Sequence, residues 1–301
     1  MSGKASACVK TILFGEHAVV YDEPAIAIPL TNTRTFAEIK PGSHPFRIVS
    51  EKIGLNKTYE ELIPGSGLQV LLSLISENFG LDELPDAVLT ISSNIPIASG
   101  LGSGAAVSVA VIRAFADFYG RELSADEVNA MAYEVEKVYH GTPSGIDNTT
   151  IAYEQAILFS RSKGISALDA DISRLNLLVI DSGIRSRTID VVSDVRAHID
   201  RNEPYIREIG GLVRAAVKSL KSGAPAEIGR LMNENQELLR KIDVSCSELD
   251  EWIRLGLSHG AIGGKLTGAG RGGNFLILAK DYEQALRLKS LYEVLGRKVI
   301  L

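Results

Sequence analysis

The chain has 301 residues, 45% of them hydrophobic and 23% charged, with a formal net charge of -5. That composition gives ample core for one large or two moderate globular domains and excludes wholesale disorder. Mild acidity without a long Lys/Arg block excludes the electrostatic footprint of a nucleic-acid or anionic-membrane binder, so a small-molecule or nucleotide ligand is expected, with no nucleic-acid and no membrane partner. Only Cys8 and Cys246 are present. Neither has Cys or His neighbours at metal-finger spacing, which removes a disulfide framework and a structural zinc site. The opening MSGKASACVKTILF lacks the apolar run of a signal peptide, and no stretch of about 18 uncharged apolar residues follows, so the cytoplasm is the expected compartment.

In chain order, short β-rich runs at 10–14, 87–92, 156–160, 175–180 and 274–278 alternate with helical patterns, so the class is α+β. No internal repeat is visible. A helix is expected over 105–119, ended by Gly120. The next follows the capping box Ser124-x-x-Glu127, with Val128, Met131, Ala132, Val135 and Val138 on one face, and its last turn delivers Glu136 and His140 to a loop. Pro143 and Gly145 then break the helix and present Asp147 on a turn. Helices near 204–220, 225–241, 247–258 and 282–295 complete the second half. A boundary near residue 172 divides the chain into expected domains 1–172 and 173–301. Trp252 and Leu255 stand at helical spacing and suit core packing or a homodimer contact.

Four constellations carry chemistry. In Pro96-Ile-Ala-Ser-Gly-Leu-Gly-Ser-Gly-Ala-Ala106, small residues precede an apolar helix. Glycine lets backbone N–H groups approach phosphate and the helix N-terminus offers free donors, although tight packing produces the same pattern. A second glycine cluster, Lys265 to Asn274, precedes the last long β run. It fails the P-loop spacing, because Leu266 follows Gly264-Lys265 and His259 stands five before Gly264. The Rossmann context is missing too. Glu136 and Asp147, separated by a rigid turn, suit metal binding by one and proton acceptance by the other, or else are a capped helix end with an Asp-bearing turn. Lys10 leads through Gly15 to Glu16 and His17. These steady an acid and hydrogen-bond a polar substrate, or are ordinary structural and solvated residues.

Taken together, in this order and spacing, the segments resemble the three signature motifs of the superfamily of galactokinases, homoserine kinases, mevalonate kinases and phosphomevalonate kinases. The run GEHAVVYDEPAIAIPL, the run HGTPSGIDN and Leu231-Met-Asn-Glu-Asn-Gln236 look most like its mevalonate kinase family. The resemblance implies a two-domain fold, N-terminal like the second domain of ribosomal protein S5 and C-terminal ferredoxin-like, with the active site between them. It further implies ATP and Mg2+, and mevalonate as the substrate, phosphorylated on its primary 5-hydroxyl. By carry-over, Asp147 is the catalytic base and Lys10 its cationic partner. Pro96, Ser99, Gly100, Leu101, Gly102, Ser103, Gly104, Ala105 and Ala106 hold the nucleotide. Glu136 and Ser103 face the metal, while Glu16, His17, Thr267, Gly268, Ala269 and Gly270 contact substrate.

Three departures stand out. Ala7-Cys8-Val9-Lys10 replaces the usual Ala-Pro-Gly-Lys. Gly104 replaces a serine whose hydroxyl often reaches metal or phosphate. Arg271 replaces a glycine, offering either a phosphate contact or a solvent-facing charge. The alternatives are another kinase of the superfamily, acting on phosphomevalonate, a sugar or a sugar phosphate, or a catalytically silent ligand-binding regulator.

Overall fold

The computed structural model describes residues 2–42, 44–94, 100–141 and 143–300; Pro96, Ser99 and the side chain of His140 lie outside the description. The fold is the two-domain α+β architecture of mixed sheets and helices expected above. By packing, the chain forms two compact units: Met1–Lys10 with Pro29–Glu154, and Thr11–Ile28 with Gln155–Leu301.

The first unit takes the N-terminal part of β1 (Gly3–Phe14) and most of β2 (Ala25–Pro41), then β3 (Arg47–Ser50), β4 (Leu55–Thr58), α1 (Gly67–Phe79), β5 (Ala87–Ser93), α2 (Ser103–Phe118), α3 (Ala125–His140) and α4 (Ile146–Tyr153). Its strands run in the order β4-β3-β5-β2, with β3 parallel to β5 and the other neighbours antiparallel. β2 was not expected from the sequence. Its inward positions include Thr33 and Thr35 as well as Ala37 and Ile39, whereas Phe36 points out at 47% exposed. The hydrophobic alternation that marks a half-buried strand is therefore scrambled in the sequence. α2 is apolar on nearly every side and is buried along most of its length, as a helix surrounded by others must be.

α3 begins with the expected box: the Glu127 N–H donates to Ser124 Oγ at 3.2 Å, and the Ser124 N–H donates to Glu127 Oε2 at 2.8 Å. Val128, Met131, Ala132 and Val135 are buried as expected, but Val138 is exposed. Asp147 does not sit on a free turn. It lies in the first turn of α4, a helix started by Gly145 in the left-handed region (φ +81°), and Pro143 ends only the helix before it.

The second unit continues with β6 (Ile157–Ser160), β7 (Gly164–Ala167), β8 (Asn176–Asp181), α5 (Thr188–Ala197), α6 (Ile199–Ser222), α7 (Pro225–Lys241), α8 (Ser247–Ser258), β9 (Gly263–Leu266), β10 (Asn274–Ala279), α9 (Tyr282–Val294) and β11 (Lys298–Ile300). Four of these strands form an antiparallel sheet, ordered β11-β8-β10-β9. Ile180, Phe275, Ile277 and Tyr292 lie in the buried core of this unit, against which Trp252 and Leu255 also pack, so that helix face is used for the core. α6 starts at Ile199 and passes through Pro204, where 204 was the expected start. Six residues into the helix, this proline has no N–H to bond the Asp200 carbonyl, so the ladder lacks that one bond.

Candidate active site

α2 is entered through a backbone conformation that few residues adopt. Gly100 and Gly102 have φ of +71° and +72°, a region costly for any residue with a Cβ. Leu101 between them is buried, and its carbonyl accepts the Lys10 N–H at 3.0 Å, tying the loop to β1. A Cβ on Gly102 would lie 3.3 Å from Asp147 Oδ2 and 3.3 Å from Lys10 Cγ. The N–H groups of Ser103, Gly104 and Ala105 form the first turn of the helix, with no intrahelical acceptor and with the positive end of the helix dipole behind them. Of the expected nucleotide-binding residues, Gly100 to Ala106 thus share one loop and helix start.

Beside this loop, Lys10 Nζ is 2.7 Å from Asp147 Oδ1, with the lysine side chain 9% exposed and the aspartate 30% exposed. The cation is nearly dry and its carboxylate partner is accessible. Glu136 is buried near the end of α3, and its carboxyl is pushed up to about 7, first by burial, then by the charge of Asp147, with Lys10 pulling the other way. A Cβ on Gly104 would come 3.5 Å from Glu136 Oε1, so the loop backbone lies directly over this carboxyl. The three expected residues Lys10, Glu136 and Asp147 are therefore brought together. Among the described residues no group of three or more His, Cys, Asp or Glu forms a metal cage. One carboxylate and one hydroxyl, Glu136 and Ser103, nevertheless fit magnesium, which keeps waters and phosphate oxygens in most of its coordination positions.

The second unit holds the other expected residues in tight packing. Glu16 and Lys265 form an ion pair with side chains 1% and 0% exposed. Burial pushes the lysine ammonium down while Glu16 opposes that shift. His17, at φ 60°, has its Nε2 2.8 Å from the Ala269 carbonyl oxygen. Burial lowers its pKa, so the neutral ring donates through Nε2–H and leaves Nδ1 as an acceptor. Thr267 Oγ1 donates to the Ile12 carbonyl at 2.8 Å and lies 3.0 Å from Thr11 Oγ1. Gly268 and Gly270 have φ of +80° and +83°, and a Cβ on Gly270 would overlap the Val244 carbonyl oxygen. The Arg271 guanidinium pairs with Asp194 and donates through Nε to the Asp243 carbonyl at 2.9 Å.

Some features were missed. Lys265 was read only as the first letter of a glycine cluster, yet it lies within the buried strand β9 and pairs with Glu16; a lysine flanked by Gly264 and Leu266 just before a long β run was the available signal. Asn129 on α3 bonds the residues next to Asp147, for which an isolated helical asparagine gives no sign. A cavity of about 290 Å³ in the first unit has a mainly apolar wall including Leu68, Ile91, Val107 and Val135, and Ser103 and Gly104 also line it. Its wall comes from β2, β3, β4, β5, α1, α2 and α3, so no local motif announces it.

A helix start open to an anion, a lysine-held carboxylate and a second buried carboxyl suit phosphoryl transfer to a hydroxyl. The family description "GHMP kinases N terminal domain" matches residues 66–155, and "GHMP kinases C terminal" matches 216–290. Mevalonate kinase of Aeropyrum pernix is 31% identical over 306 residues, covering 97% of this chain and 93% of its own length. Mevalonate kinase of Pyrococcus horikoshii is 35% identical, with coverage of 91% and 88%. The crystal structure of L. major mevalonate kinase in complex with R-mevalonate superposes with a TM-score of 0.82 at 32% identity, over 97% of this chain and 91% of that one. The chain belongs to the GHMP kinases, in their mevalonate kinase family.

Among the described residues, no helix is long and apolar enough to cross a membrane.

Proposed function

We propose that this protein uses ATP to phosphorylate the primary 5-hydroxyl of mevalonate, a step toward isoprenoid precursors. The observation that carries the reading is the Lys10–Asp147 pair at 2.7 Å, set against the glycine loop that opens α2. Asp147 accepts the hydroxyl proton as the oxygen attacks the terminal phosphorus of ATP and the bond from that phosphorus to the bridging oxygen breaks, releasing ADP; Lys10 holds the carboxylate in place and faces the negative charge that gathers on the attacking oxygen. The N–H groups of Ser103, Gly104 and Ala105 bind the phosphates. The adjoining cavity, walled largely by aliphatic side chains, suits the flat base of the nucleotide. Glu136 and Ser103 would hold magnesium, which would supply positive charge beside the phosphate oxygens.

From the second unit we propose His17, through its Nδ1 acceptor, and the segment Thr267, Gly268, Ala269 and Gly270 as substrate contacts. Glu16 acts there through its bond to Lys265. The functional domains are proposed as 1–172 and 173–301, the compartment as the cytoplasm, and a homodimer is carried as part of the same reading.

The test is magnesium-dependent ATP turnover on mevalonate, phosphomevalonate, galactose and homoserine. Turnover is expected on mevalonate, with Asp147→Asn slower by about 10²- to 10⁴-fold, the usual worth of a positioned base. Full turnover by that variant would remove Asp147 from the mechanism. A wild-type preference for another alcohol would replace the substrate.

A further inference from the structure

Three polar side chains at i, i+4 and i+7 on α3 mark the face that meets the segment carrying Asp147. Asn129 Oδ1 accepts from Asn148 Nδ2 at 2.6 Å and from Thr149 Oγ1 at 3.2 Å. Tyr133 Oη donates to the Pro143 carbonyl at 3.3 Å. Glu136, one turn further on, lies within electrostatic reach of Asp147. The partners of Asn129 are the two residues immediately after Asp147, and both are buried.

α4 has eight residues, too few to hold its own geometry in isolation. Its first turn therefore takes its position from what it is bonded to. Asn148 Oδ1 is buried with no hydrogen-bond partner among the described residues, so the bond from Nδ2 to Asn129 is what offsets the burial of that amide and fixes its orientation.

We propose that Asn129 is a positioning residue for phosphoryl transfer. It clamps the start of α4 to α3, and so holds Asp147 at a set distance from Glu136 and in register with Lys10. The proposal rests on the roles given to Asp147 and Glu136 above. Asn129 touches neither substrate nor nucleotide in this role; it acts through Asn148 and Thr149. A single acceptor oxygen serves both bonds, so a side chain of equal size that keeps this oxygen preserves the clamp, whereas an apolar one of similar size abolishes it.

The experiment compares wild type, Asn129→Leu and Asn129→Asp, each as the full chain. Asn129→Leu is expected to lower kcat by about 10- to 100-fold while KM for ATP stays within about twofold, because misplacing a reacting group by about 1 Å costs on this scale. Asn129→Asp, which keeps the acceptor, is expected to hold kcat within about threefold of wild type. The second arm needs no substrate: amide hydrogen exchange over residues 146–150 is expected to be faster by about tenfold in Asn129→Leu and near wild type in Asn129→Asp. Equal losses in the two variants, a parallel rise in KM, or unchanged exchange in Asn129→Leu would each overturn the proposal. Should the wild-type enzyme ignore mevalonate, the substrate reading falls and the exchange arm still decides the clamp.

Discussion

Each unit contains one lysine–carboxylate pair in or beside a glycine-rich loop, and the two pairs differ in the one property that chemistry needs. Lys10–Asp147 has a buried cation and a carboxylate with 30% of its side chain exposed; Lys265–Glu16 is sealed, with side chains 0% and 1% exposed. A sealed pair can neither take a proton from a substrate nor give one up, so its worth is structural, while a half-open pair can do both. The loops divide in the same way. Gly100 has open space where a Cβ would lie, whereas Gly270 is there because the Val244 carbonyl occupies the space of a Cβ. Glycine richness alone does not separate a phosphate cradle from a close backbone crossing.

The contrast breaks most visibly at Lys265. Lys265→Met leaves the Glu16 carboxylate buried without its cation and is expected to destabilise the protein by about 3 to 5 kcal/mol, read as a lowered denaturant midpoint. The double variant Lys265→Met with Glu16→Leu should recover most of that loss, since matched apolar replacements of buried pairs are close to neutral. If both variants unfold alike, the pair is not what the site requires.

Next comes Lys10→Met, which should lower kcat by about 100-fold, the low end of what a charge-stabilising contact supplies. Its stability should move by no more than about 1 kcal/mol, because Asp147 remains hydrated. A large fall in stability would make the two pairs alike and defeat the comparison.

The smallest effect expected is at Glu136. The folded protein keeps this carboxyl protonated up to about pH 7, while the unfolded chain releases the proton near the ordinary glutamate value. Between those values the folded state binds more protons, so wild-type stability must fall as pH rises through the window and then level off. Glu136→Gln lacks this loss. Its advantage should be absent near pH 4 and reach about 1 to 3 kcal/mol above pH 7, with activity lost. Denaturation at pH 4.5 and 8 without divalent ions measures it; an advantage that shrinks with rising pH would reverse the assignment.

Lys10, Glu136 and Asp147 were legible because each belongs to a short motif carried by the family resemblance: the first residue of the expected β run, the last turn of a capped helix, and the second residue after Gly145. The local rule misplaced Asp147, which it set on a turn, because Pro143 constrains only what precedes it and Gly145 can begin a new helix as readily as end an old one. The long strand β2 was illegible for a different reason. Thr33 and Thr35 are buried in its middle while Phe36 is exposed, so over that stretch burial follows from neighbouring strands rather than from hydrophobicity.

The sequence by itself determined the α+β class and the family, since glycine motifs, helix capping and hydrophobic period act over a few residues; the roles of Lys10, Glu136 and Asp147 came from the family resemblance. Only the tertiary structure decided which lysine is open and which is sealed. It also decided that Arg271 is committed to Asp194 and Asp243, and that Asn129 bonds the residues beside Asp147. Exposure and hydrogen-bond partnership depend on what the rest of the chain brings close, and no window of sequence contains those neighbours.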